Sequence, residues 1–178
     1  MPSSPFVTAF GDHRPIIATQ VFVDRSARLI GQVELAPGSS VWPGAVLRAD
    51  DARIRVGEGS AVLDMALLEA PQGCPVLIAP EALVSHKACL HGARVERGAL
   101  VGIGAIVLDG AVVGAGALVG AGAVVPPGMA IPPATLVLGQ PAKVIRELRD
   151  EERQRTRAQL AEVAAKAAQY LAAEQAAR

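Results

Sequence analysis

Aromatic side chains are scarce: three Phe, one Trp and one Tyr make up 3% of the 178 residues. A core built around rings is therefore excluded, and the 51% hydrophobic content rests on Val, Leu, Ile and Ala. Cysteine is scarce too. Cys74 and Cys89 are too few for a disulfide framework and do not decide the compartment. Neither charge sign dominates, 17 basic side chains standing against 17 acidic, so neither nucleic acid nor an anionic membrane is an expected partner. The opening MPSSPFVTAF has no basic segment followed by an apolar core. No secretory signal is expected, and the cytoplasm is the expected compartment. With only His13, His86 and His91 present, imidazole chemistry is confined to three positions.

What is abundant is a short repeat. Over residues 101–125, VGIGAIVLDGAVVGAGALVGAGAVV, an aliphatic residue returns every sixth position: Val101, Val107, Val113, Val119 and Val125. Alanine follows each of the first four by four positions, at Ala105, Ala111, Ala117 and Ala123. The pattern runs backwards through Ile78, Val84, Leu90 and, after a short step, Val95. An earlier array reads Val23, Leu29, Leu35, Val41, Leu47 and, after a break, Val56, Val62, Leu68. This period fits neither an alternating strand nor a helix. It predicts a parallel β-helix, all-β, in which three hexads close one coil and the aliphatics stack into an interior column. A membrane span with GxxxG-like spacing is the rival reading of residues 101–125. Asp109 in its middle, and the continuation of the repeat through Val95-Glu-Arg-Gly98, argue against it.

The expected organisation is an extended lead-in over residues 1–22, the hexapeptide-repeat β-helix over 23–134, and a C-terminal segment with a helix over 135–178, all in one domain. Asp150, Glu151 and Glu152 place negative charge where a helix should begin, and Leu160, Val163, Ala167, Tyr170 and Leu171 follow at helical spacing. That helix is expected to pack along the outside of the coil.

Two breaks interrupt the hexads. The first, residues 48–53, holds two arginines and two aspartates in balance, which suits either an ordinary surface ion pair or a salt bridge that orients a site or joins subunits. The second, residues 70–75, is a loop of turn formers. It separates Glu69 from His91, each of which directly follows a column residue, Leu68 and Leu90. Between positions 69 and 91 lie one 18-residue coil and four extra residues that the loop can absorb. Glu69 and His91 should therefore be stacked neighbours on one outer surface, roughly 4.8 Å apart along the coil axis. His86 is separated from His91 by much of one side of a coil. If two subunits pack side by side, however, His86 of one can meet Glu69 and His91 of the other. Two histidines and one carboxylate are a known ligand set for zinc-like ions with an open position. His13, without a partner at any metal-binding spacing, is expected at the surface.

At Ser85-His-Lys-Ala-Cys-Leu-His-Gly92 the chain resembles the gamma-class carbonic anhydrase family. The resemblance covers nearly the whole chain. Besides the hexads it rests on Val46-Leu-Arg-Ala-Asp50, Val101-Gly-Ile-Gly-Ala-Ile-Val-Leu-Asp-Gly110, Leu138-Gly-Gln-Pro-Ala142 and Leu148-Arg-Asp-Glu-Glu152. It implies a left-handed parallel β-helix, a homotrimer, and zinc, sometimes iron or cobalt, at each subunit interface for the reversible hydration of carbon dioxide to bicarbonate. His86 and His91 match the second and third metal ligands of the family; the first, a histidine there, falls on Glu69. Arg48 and Asp50 match a pair supporting the interface and site, and Asp64 matches an aspartate beside it. Leu63 stands where a glutamine is expected, no tyrosine occurs near Leu136 or Val137, and the loop 70–75 carries no acid. These departures imply weak or lost activity. Cys74 is read as incidental and Cys89 as a small apolar filler near the site. Two other functions stay open: a non-catalytic, metal-free trimeric scaffold in which Glu69 bonds to interface histidines, and acyl transfer from coenzyme A with His86 or His91 as general base.

Overall fold

The computed structural model describes residues 6–176; residues 1–5 of the expected lead-in and 177–178 of the expected C-terminal segment lie outside the described residues. The chain winds into a parallel-strand solenoid of about seven turns, followed by one helix, Asp150–Ala176. Most of the short strands turn a single residue inward; Val76–Ile78, buried at both ends, turns two. Leu29, Leu47, Leu68, Leu90, Val107 and Val125 stack in one fully buried column, and Val41, Val62, Val84, Val101, Val119 and Val137 in another. Alanines fill the narrow corners between them, among them Ala45, Ala66, Ala88, Ala105 and Ala123. A core one side chain thick at each level needs aliphatics of fixed volume rather than rings, which is why the composition looks as it does.

The length of each coil follows from the sequence. Leu100 pairs with Leu118 and Leu118 with Leu136, both 18 residues on. The coil from Ser40 to Ala61 takes 21 residues and that from Ala61 to Leu83 takes 22, whereas Leu83 to Leu100 takes only 17. The 22-residue coil is the one containing the loop 70–75, and the 17-residue coil contains the short step from Leu90 to Val95. The 21-residue coil corrects the first expected break. Residues 48–53 leave no gap in the strand order but lie inside one continuous strand, Val46–Val56, which pairs with Arg28–Leu35 across a register shift at Gly31 and Val33. Its alternating exposure shows why: the charged side chains point to solvent while Leu47, Ala49, Ile54 and Val56 stay buried. Extra residues can thus be absorbed by bending an extended strand around a corner.

Parallel pairing starts inside the segment expected as a lead-in. Val7–Thr8 and Ile16–Ile17 both join Arg28–Leu35, and Phe22–Val23 joins Ser40–Val41. At the other end, Thr135–Leu138 is the last strand laid on the stack, and Lys143–Glu147 returns antiparallel to it and ends that sheet.

The helix begins at Asp150 with three acidic residues in its first turn. The Glu152 carboxylate accepts the Arg149 backbone N–H at 2.8 Å and a two-pronged bond from the Arg146 guanidinium at 2.7 and 2.8 Å. This is half of a capping box, tied in addition to the preceding strand. Leu160 and Val163 then pack on Ala61, Leu63, Leu83 and Leu100, Ala167 is buried, and Tyr170 stacks on Phe22 at 5.2 Å with Trp42 edge-on at 5.8 Å. Three of the five aromatic rings thus serve to fasten the helix, not to fill the coil. Among the described residues no helix is long and apolar enough to cross a membrane.

Candidate functional site

On the face that carries the Leu47–Leu68–Leu90 column, the residue after each column residue points outward. This produces a vertical row of side chains from successive coils in which Arg48 pairs in register with Glu69, and Glu69 with His91. The expected stacking of Glu69 on His91 is therefore present. The Glu69 carboxylate Oε1 lies 4.0 Å from His91 Nε2, and on its other side it is bonded to Arg48 Nη2. Arg48 also reaches Asp50, which shares its side of the extended strand, with Nη1 at 3.6 Å from Oδ2.

The other ring nitrogen of His91, Nδ1, is in hydrogen-bond contact with Asp109 Oδ1. A carboxylate accepts but cannot donate, so the neutral imidazole holds its proton on Nδ1 and presents the Nε2 lone pair toward Glu69. Asp109 was met in the sequence as a charge that speaks against a membrane span and as part of the 101–110 segment that carries the family resemblance. It sits 18 residues beyond His91, one nominal coil, and that offset is the signal that marks it. The corner beneath is tight. Gly92 has a φ of +58°, a Cβ there would come within 2.6 Å of Cys74 Cβ and 3.0 Å of Asp109 Oδ1, and Gly110 N–H bonds to Gly92 O at 2.7 Å. The loop 70–75 thus returns Cys74 to the wall of the His91 corner, where only glycine leaves it room.

His86 occupies the preceding corner turn of the coil, with Nδ1 at 3.0 Å from Asp64 Oδ2. Asp64 and His86 are stacked corners, since Lys87 N–H bonds to Asp64 O at 2.9 Å. Each of the two histidines is therefore held through Nδ1 by an aspartate. Within one chain they do not converge: among the described residues no three His, Cys, Asp or Glu side chains gather closely enough to hold an ion. Between the two corners runs an outward row of Val46, Leu67, Cys89, Ile106 and Val124, and at its edge Met65 and Ile103 are 61% and 54% exposed. The strip of surface that separates His86 from Glu69 and His91 is thus apolar.

The remaining expected residues fall as follows. The Cys89 thiol is pushed above its ordinary range by burial and by the Glu69 charge. Leu63 is buried beneath the helix with Ala61, Leu83 and Leu100, where it helps to seat Leu160 and Val163. His13 is exposed on the N-terminal segment, and its backbone pairs with Phe10. Two grooves, of about 450 and 610 Å³, lie elsewhere; the larger runs between the helix and the coil corners and is walled by Arg97, Arg153 and Arg157.

No protein-family model matches the chain. It is 43% identical over 137 residues to a probable carbonic anhydrase of Methanocaldococcus jannaschii, covering 77% of this chain and 86% of that protein. Against the mitochondrial gamma carbonic anhydrase 2 of Arabidopsis thaliana it is 42% identical over 91 residues, which are 48% of this chain and 33% of that protein, so that the match spans about a third of that relative's length. Among solved structures, the crystal structure of a putative acetyltransferase from Bacillus cereus superposes with a TM-score of 0.91 at 34% identity, covering 92% of this chain and 95% of the other. With the hexad solenoid, the terminal helix and the stacked Glu69–His91 corner in place, these likenesses establish that the chain belongs to the gamma carbonic anhydrase-like family of hexapeptide-repeat proteins.

Proposed function

We propose that the protein binds a zinc-type ion between subunits of a homotrimer and there catalyses the reversible hydration of carbon dioxide, at a reduced rate. Glu69 and His91 of one subunit and His86 of the next are the proposed ligands. Arg48, Asp50 and Asp64 are the proposed supporting residues.

The observation that carries the reading is the pairing of a carboxylate oxygen with an imidazole Nε2 whose opposite nitrogen is already engaged by Asp109. Metal-binding histidines commonly have that second bond, which fixes the tautomer and the ring's aim. The donor set also fits the ion chemically. Ligand atoms about 2.0–2.2 Å from a shared tetrahedral zinc are roughly 3.4 Å from each other, and the 4.0 Å separation needs only a small side-chain rotation to reach that. The apolar strip between the two corners supports the trimer. A second copy laid on it would cover exposed Met65, Leu67 and Ile103 and bring its own His86 toward this Glu69 and His91.

Zinc or a related ion such as iron or cobalt would supply an acidified water for attack on carbon dioxide. Glu69 brings a negative charge that an imidazole lacks, which lowers the acidity of such a water and with it the rate. Leu63, placed under the helix, gives no polar group to orient it, and the loop 70–75 provides no acid to carry protons away.

The bond from Arg48 to Glu69 favours a second reading, a metal-free scaffold in which the carboxylate is neutralised within its own chain. Purification with zinc, followed by metal analysis and stopped-flow carbon dioxide hydration, separates the two. About one zinc per subunit and a rate above the buffer background are expected, both raised in Glu69→His. Zinc in Glu69→His but none in the parent protein would select the scaffold, and zinc in neither would reject a metal site altogether. Acyl transfer is tested separately: protection by coenzyme A against thermal unfolding would support it.

A further inference from the structure

Resting on the metal reading above, we propose that Arg48 is the resident counter-ion of Glu69, that it competes with the metal for this carboxylate, and that it transfers to Asp50 when the ion binds. The register sets the competition up. Arg48, Glu69 and His91 stand in one outward row on three successive coils, so Glu69 is flanked by a guanidinium on one side and an imidazole nitrogen on the other. One carboxylate oxygen, Oε1, faces both: it is bonded to Arg48 Nη2 and is 4.0 Å from His91 Nε2. A cation drawn to that oxygen must share it with the guanidinium or displace it.

The displaced guanidinium has a seat ready. Asp50 lies two residues on in the same strand, on the same side, with Oδ2 already 3.6 Å from Arg48 Nη1. The Arg48 side chain is 43% exposed, so it can swing between the two carboxylates without opening the core. The same exposure makes the competition modest. A solvent-exposed ion pair is worth about 1 kcal/mol or less, equivalent to about a fivefold change in an equilibrium constant. Arg48 therefore sets the affinity for the metal rather than blocking the site, and Asp50 sets the opposite bias. This dual role follows from the carboxylate at position 69; a neutral imidazole there would give the guanidinium no charge to pair with.

The test is zinc affinity, measured by competition with a chromophoric chelator on the full-length protein, for the parent, Arg48→Gln and Asp50→Asn. Removing the guanidinium is expected to tighten zinc binding, by up to about fivefold, because Glu69 loses its competitor. Removing the Asp50 charge is expected to weaken zinc binding by a similar factor, because Arg48 is then left with Glu69 alone. A role in merely holding the fold or the subunits together would weaken binding in both variants, so the opposite signs are diagnostic. Unchanged or weakened binding in Arg48→Gln would overturn the proposal while leaving the metal reading intact, as would tightened binding in Asp50→Asn. No zinc bound by any of the three proteins would overturn the metal reading and this proposal with it.

Discussion

Asp109 touches no other residue proposed to bind metal except His91, and the consequence of removing it can be worked out in some detail. Its Oδ1 is the acceptor for His91 Nδ1–H. Without it the imidazole can take either tautomer, and in one of them Nε2 carries the proton and cannot bind an ion. The ring is also free to turn away from Glu69. Loss of such a second bond costs roughly 10- to 100-fold in metal affinity, equivalent to about 1.4–2.7 kcal/mol. The His91 and Asp109 side chains are 34% and 45% exposed, so water replaces part of what is lost and the lower end of the range applies. Asp109→Ala is therefore expected to weaken zinc binding by roughly tenfold. Asp109→Asn keeps an acceptor oxygen and should fall between it and the parent. A chelator-competition titration measures both, with circular dichroism to show that the coil is retained. Parent-like affinity in Asp109→Ala, or a larger loss in Asp109→Asn than in Asp109→Ala, would refute the assignment of Asp109 as the group that positions His91.

Other consequences concern the frame. Leu90 is fully buried between Leu68 and Val107, and truncation to alanine opens a void in that column. A loss of about 2–5 kcal/mol is expected from urea unfolding of Leu90→Ala, and a loss under about 1 kcal/mol would show that the column is not close-packed. Glu152 is held well below the ordinary carboxylate range, at about 2, first by the Arg146 side-chain bond and then by the Arg149 backbone N–H. A depressed carboxylate stabilises the fold above its unfolded value and loses that contribution as pH falls through its folded one. The anchoring of the helix should therefore weaken between about 4.5 and about 2, and Glu152→Gln should flatten that part of the pH–stability curve. An identical acid limb in parent and variant would contradict the anchoring role.

Much of this architecture was legible because a coil has one inward residue per strand, so burial imposes a six-residue period that nothing else imitates. The same reasoning located Glu69 over His91 despite the four extra residues between them. What escaped has physical reasons. Val7–Thr8 and Ile16–Ile17 pair as strands while Ile16 and Ile17 stay exposed, so backbone bonding there leaves no mark in the apolar pattern. Residues 48–53 looked like a loop because four charges replaced the repeat, yet an extended strand can carry charges on its outward side and turn a corner without losing its pairing. Asp109 was overlooked as a site residue because corners, unlike strand centres, re-aim side chains: it turns to a histidine on the coil before it.

The central claim is that no single chain carries a complete site, and subunit mixing tests it most directly. His86→Ala and His91→Ala homotrimers should each bind no zinc, since every site in them lacks one ligand. Co-expressed, they should form mixed trimers in which one site, taking Glu69 and His91 from a His86→Ala subunit and His86 from a His91→Ala neighbour, is whole again. Metal analysis of the isolated mixed trimer is expected to return about one zinc per trimer. Zinc retained in either parent variant, or none in the mixed trimer, would contradict a site shared between subunits.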